Sequence, residues 1–161
     1  MNHLINRKNS ILSVLVLCTI LLLSACSGGG KSVSVDTAKL AKELAEGTVT
    51  SEALTEMASS MIAGSYYISD DIFAGGSAWK GTGATACEVV VIEAKDAKQT
   101  KDVEAKLKEH VQSQADLYAS YNAGEVEKLE KAVLKSTGKY TALCICDDTA
   151  KAEEILKNAG F

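Results

Sequence analysis

The residues best suited to chemistry in this 161-residue chain are its cysteines, Cys18, Cys26, Cys87, Cys144 and Cys146. Cys144 and Cys146 lie two apart on an expected strand and so share one face. Cys87 shares a face with Val89 and Val91. Thiols so placed read most plainly as small apolar filler. An exported chain would also allow a disulfide from Cys87 to Cys144 or Cys146, provided their strands are neighbours. The spacing matches neither the C-x₂₋₄-C zinc pattern nor the C-x-x-C redox motif. His3 and His110 are the only histidines, which leaves no multi-histidine centre. His110 falls at the edge of a long helix's apolar stripe, where a partly exposed position is expected. Serine–histidine catalysis would rest on it alone, and no Gly-x-Ser-x-Gly elbow supplies a nucleophile. Asp70-Asp71 and Asp147-Asp148 lack the calcium-loop spacing, and the second pair suits a helix cap. No catalytic residue, metal site or cofactor is assigned.

Recognition is better served by the stretch from Gly64 to Gly83, which sets Tyr66, Tyr67, Phe73 and Trp79 on glycine-rich backbone. Such aromatics make a ligand platform or partner patch, unless Phe73 and Trp79 simply complete the core. Gly81-Thr82-Gly83 precedes a strand, not a helix, and so is a turn instead of a phosphate cradle. Gly30-Lys31-Ser32 ends like a phosphate-binding loop, but Ala25 stands where that motif needs glycine.

The N-terminus carries an address. Arg7 and Lys8 precede an apolar run from Ile11 to Leu23, broken by Ser13 and Thr19. A basic start and a short apolar core make a secretory signal, and the run is shorter than the ~20 residues of a membrane span. Leu23-Ser24-Ala25-Cys26 then resembles the lipobox of bacterial lipoproteins, which implies lipid on the Cys26 thiol and cleavage before it. Two acyl chains hold a protein stably at a membrane where one is marginal. The expected organisation is a signal peptide over 1–25, a lipidated cysteine with a Gly/Ser linker over 26–35, and one domain over 36–161. The linker reaches about 15–18 Å r.m.s., which keeps that domain near its membrane.

Composition agrees with a single folded domain: 24% charged residues, 47% hydrophobic, and no proline. The net charge of −4 argues against a nucleic-acid partner. Loss of Arg7 and Lys8 with the signal makes the mature chain more acidic, so Cys26 lipid remains its hold on an anionic membrane.

Periodicity supplies the elements. Helices are expected over Asp36–Ala45, with Leu40 and Leu44 inward, and over Ser51–Ile62, with Leu54, Met57, Ala58, Met61 and Ile62 on one stripe. An irregular strand near Ile72–Lys80 leads through a turn to a strand over Ala84–Ala94. There Val89 to Ile92 form the continuous β-branched run of a central strand buried on both faces. Asp96 with Gln99 is a capping-box pattern. It opens a helix to about Tyr121, carrying Val103, Leu107, Val111, Leu117, Tyr118 and Tyr121 inward. Asp102–Lys106 and Glu104–Lys108 are i,i+4 pairs in the favourable order. A short helix over Glu125–Lys131, a hairpin over Val133–Cys146 and a last helix to Lys157 complete the chain. The order reads ββα then ββα, and predicts an α+β fold: a largely antiparallel four-stranded sheet, helices packed on one face, plus the N-terminal helices.

These segments together resemble the bacterial lipoprotein family known as domain of unknown function 4358. The residues are Thr82-Gly83-Ala84-Thr85-Ala86 leading into Glu88 to Asp96, then Glu125 to Val133, then Thr137-Gly138-Lys139-Tyr140 running to Asp147-Asp148 and the final helix. The resemblance spans roughly residues 36–158. It implies a secreted or lipid-anchored protein of Gram-positive type and brings no activity or catalytic residue with it. Cys144 and Cys146 stand where plain aliphatic residues would be expected.

The expectation is a non-enzymatic, lipid-anchored module on the extracytoplasmic face of the cell membrane, binding an envelope protein or other envelope component. An envelope enzyme, an enzyme's accessory subunit, or a small-ligand carrier is the alternative. A pocket lined by Tyr66, Tyr67 or Trp79 would favour a ligand; one around His110 with acidic neighbours would favour an enzyme.

Overall fold

Both faces of the central strand are apolar, so the sheet needs cover on two sides. The computed structural model describes residues 33–161; Cys18, Cys26, the lipobox and most of the linker lie outside them. The order is α1 (Thr37–Gly47), β1 (Thr55–Glu56), α2 (Ser59–Ser65), β2 (Phe73–Lys80), β3 (Glu88–Ala94), α3 (Thr100–Tyr121), α4 (Val126–Glu130), β4 (Val133–Thr137), β5 (Tyr140–Ile145) and α5 (Thr149–Asn158). The strands form one antiparallel sheet in the order β1-β2-β3-β5-β4.

The sheet therefore has five strands, not four, and its helices cover both faces, not one. Val90, Ile92, Leu143 and Ile145 pack beneath α2, α3 and α4, against Ile62, Val103, Leu107 and Leu129. Val89, Val91, Ala142 and Cys144 pack on the other side against Leu40, Ala41 and Leu44 of α1 and Ala152, Ile155 and Leu156 of α5. The run Val89–Ile92 demands this: a helix layer on one side would leave two of its four side chains in water.

The fifth strand comes from the segment expected to be a helix over Ser51–Ile62. Thr55 and Glu56 instead pair with Lys80 and Trp79, and the Met57 N–H donates to Ala78 O at 2.8 Å. The apolar stripe is shared between faces: Leu54 joins the α1–α5 side, Met57 and Ile62 the other, and Met61 is exposed. Upstream, the Glu52 carboxylate accepts from the backbone N–H groups of Thr82 and Thr85 at 2.9 and 3.2 Å and from both hydroxyls at 2.7 Å. These bonds, that from the Thr82 N–H foremost, lower its pKa to about 2. A Cβ at Gly81 would lie 2.2 Å from the same carboxylate, so a larger residue there would have to displace Glu52 from these bonds.

Other local readings hold. Asp96 and Gln99 form the reciprocal capping box, Asp148 accepts from Lys151 N, and Glu104 pairs with Lys108. Lys106 pairs with Glu109 and not with Asp102. On α3, Leu107 and Tyr118 are buried, but Leu117 and Tyr121 are exposed. No helix among the described residues is long and apolar enough to cross a membrane.

Candidate functional site

Glu88 opens β3, with its side chain on the α3 side of the sheet and only 2% exposed. A carboxylate in that position needs partners, since an unpaired buried charge is costly. Three elements supply them. The Tyr66 hydroxyl, just past α2, donates to Oε1. His110 Nε2, from the inward face of α3, lies 3.1 Å from Oε1 and 3.2 Å from Oε2. Lys80 Nζ, on the residue directly opposite in β2, lies 3.3 Å from Oε2. The Tyr66 and His110 rings meet edge-on at 4.9 Å. Burial pushes the Glu88 carboxyl up, but the hydrogen bond and charge of His110 with those of Lys80 and Tyr66 outweigh it and hold it below the ordinary value. Burial, then the Glu88 charge, pushes the Tyr66 hydroxyl far upward, so it stays a donor.

Above this network lies a cleft of about 430 Å³, whose walls include Tyr66, Tyr67, Lys80, Lys106, His110 and Ser113. Lys106 is neutralised by Glu109 at 2.7 Å. The Lys80 side chain is 38% exposed, and its ammonium pairs with Glu88. Tyr67 stands at the mouth, 81% exposed, with φ of 53°. A left-handed tyrosine is uncommon and costs backbone energy, and this one gains little packing in return.

The expected recognition set divides. Tyr66 and Tyr67 flank the cleft, whereas Phe73 and Trp79 pack against opposite faces of the sheet. His110, expected to be partly exposed, is buried because α3 turns that edge onto Glu88. The cleft meets both criteria drawn from the sequence: Tyr66 and Tyr67 line it, as a ligand site would have, and His110 lines it with acidic neighbours in Glu109 and Glu88, as an enzyme would have. Glu88 and Lys80 themselves go unmarked in the sequence, where the available signal is a charged residue heading an otherwise apolar buried strand. Cys87, Cys144 and Cys146 are buried free thiols; no disulfide joins them. Among the described residues no group of three His, Cys, Asp or Glu side chains is disposed to hold a metal ion.

A family model described as Domain of unknown function (DUF4358) matches residues 48–146, which take in every member of the Glu88 network. No curated protein and no solved structure matches the chain.

Proposed function

We propose that this chain, which belongs to the DUF4358 family, is a lipid-anchored extracytoplasmic binding module whose cleft over Glu88 and His110 takes a small polar solute with an anionic group. The observation that carries this reading is the cleft itself, floored by a charge-balanced network and flanked by a strained, exposed tyrosine. Lys80, whose side chain is partly exposed, offers the ligand a cation at the wall. Ser113 offers a hydroxyl, and Tyr67 a ring for a planar or sugar-like body. Attachment would come from Cys26, with the domain held close by its linker.

An enzymatic reading has one observation in its favour: an imidazole held by a carboxylate in a cleft is the arrangement of an oriented general base. Among the described residues, however, no serine, threonine or cysteine makes a hydrogen bond to His110. Its Nε2 is engaged by Glu88. Binding therefore suits the geometry better than acyl transfer.

Chemical-shift titration tests the binding reading with three probes: inorganic phosphate, free glutamate and N-acetylglucosamine. Saturable shifts at His110 and Tyr67 for at least one probe are expected, with Tyr67→Ala weakening it about tenfold. Absence of saturation with all three overturns the reading. Turnover of p-nitrophenyl acetate that disappears in His110→Gln would move the assignment to an enzyme. Labelling with a fatty-acid analogue should mark the full chain and not Cys26→Ser; equal labelling of both removes the anchor.

A further inference from the structure

His110 uses only one of its ring nitrogens in the Glu88 network. Nε2 lies 3.1 Å from Oε1 and 3.2 Å from Oε2. Glu88 is ionised at neutral pH, because its partners hold it below the ordinary carboxyl value. An ionised carboxylate can only accept, so Nε2 carries the hydrogen of this contact. In the neutral imidazole Nδ1 is then a bare lone pair.

Nδ1 is not sealed in the core. Among the described residues, the side-chain polar atoms that are fully buried without a partner are Ser77 Oγ and Trp79 Nε1. The His110 ring has its hydrogen bond to Glu88 and, among the described residues, no other. Nδ1 therefore has neither a partner nor full burial, and its ring forms part of the wall of the 430 Å³ cleft. The ring is held in place by Glu88 at Nε2 and by Tyr66, which meets it edge-on at 4.9 Å.

The charges around the imidazole are already matched. Glu88 of β3 has Lys80 of β2 at 3.3 Å. On α3 itself, Lys106 has Glu109 at 2.7 Å. Past α2, Tyr66 donates its hydroxyl to Glu88, and Tyr67 stands at the mouth. With the imidazole neutral, two ammonium groups face two carboxylates and the cleft carries no net charge. An anion entering it leaves the sum negative in a space partly withdrawn from water, where an unmatched charge is costly. A proton on Nδ1 restores the balance. It also turns a lone pair, which repels an anion, into a charge-assisted donor. Glu88 accepts from Nε2 in either state, so the ring keeps its anchor.

We infer that His110 is the anion-selecting residue of this cleft, binding the ligand's anionic group through Nδ1 and taking up one proton as it does so. The inference rests on the binding reading given above. The imidazolium then bridges two anions, Glu88 through Nε2–H and the ligand through Nδ1–H. Its proton comes from solvent and returns there when the ligand leaves. A ligand of constant charge is therefore held more tightly as the medium becomes more acid, and released as it becomes more alkaline.

The test reads the ring nitrogens directly by magnetic resonance, in the full chain carrying isotopically labelled histidine. Spectra are taken at about pH 7.5, a unit above the ordinary histidine value of ~6.5, without ligand and with saturating inorganic phosphate or free glutamate. The His110→Gln spectrum separates His3 from His110. Nδ1 is expected to show the resonance of an unprotonated nitrogen in the free protein and of a protonated one at saturation, with Nε2 protonated in both. His110→Gln should bind the same probe about tenfold more weakly. Saturation with Nδ1 still unprotonated, or a free protein already protonated there, overturns the inference and leaves the binding reading standing. Saturation by neither anion overturns the inference together with the anionic reading of the cleft.

Discussion

Glu88 Oε1 lies 3.1 Å from His110 Nε2, with the carboxylate side chain 2% exposed and the imidazole side chain 7% exposed. The pair ties the first residue of β3 to the middle of α3 and places the cleft floor between them. Because both groups are out of water, each depends on the other for its hydrogen bonds.

Removing the carboxylate strands Tyr66, His110 and Lys80 at once. Glu88→Ala should destabilise the fold by about 3–5 kcal/mol, as for a broken buried ion pair. Glu88→Gln keeps the shape and one acceptor and should cost about 1–3 kcal/mol. Tyr66→Phe removes one donor only and should cost about 1–2 kcal/mol. Urea unfolding of the three variants checks the ranking; a Glu88→Ala protein as stable as wild type would show the network to be energetically idle.

Acid should weaken the protein through the same carboxylate. The folded-state value of Glu88 lies below its ordinary 4.5. Its contribution is therefore fully present above that pH and is lost as pH falls through the folded value. Glu52, lowered to about 2, adds a loss over the window from 4.5 downward. Thermal unfolding midpoints followed from pH 6 to pH 2 should fall most steeply in the lower half of this ~4-unit range, and Glu88→Gln should flatten the decline.

Leu107 and Leu117 occupy the same apolar stripe in sequence but not in energy. Leu107 is fully buried, whereas Leu117 is 52% exposed. Leu107→Ala should cost about 2–5 kcal/mol by opening a cavity beneath α3. Leu117→Ala should fall within about 0.5 kcal/mol of wild type. Equal effects in guanidinium melts would mean that α3 buries a different face.

Tyr67 sets stability against binding. Glycine relieves the left-handed backbone but frees the unfolded chain, so Tyr67→Gly should range from neutral to about 1 kcal/mol more stable. The same change removes the ring at the cleft mouth and should weaken the probe titrations described above. A clear loss of stability would show that the tyrosine is held for packing.

What was legible in the chain was local. The 3.6-residue spacing of Leu40 and Leu44, the capping box of Asp96 and Gln99, and the unbroken Val89–Ile92 run are each properties of neighbouring residues. The corresponding elements form where expected. The Ser51–Ile62 stripe shows the limit of that logic. Its spacing suits a helix, yet an open edge of β2 captures Thr55 and Glu56, because backbone pairing with a distant strand outweighs a modest local preference.

The sequence by itself determined most of the element types, the Ser51–Ile62 segment excepted, with the covered central strand and the lipobox resemblance at Cys26, since all of these are written within a few consecutive residues. Only the tertiary structure decided which face each helix covers. It also decided that Phe73 and Trp79 serve the core while Tyr66 and Tyr67 flank a cleft, and that Glu88 meets His110. Those outcomes depend on strand order and register, which bring together residues 22 positions apart in the Glu88–His110 bond. A one-residue slip in register would turn each side chain to the other face, so no local pattern carries that information.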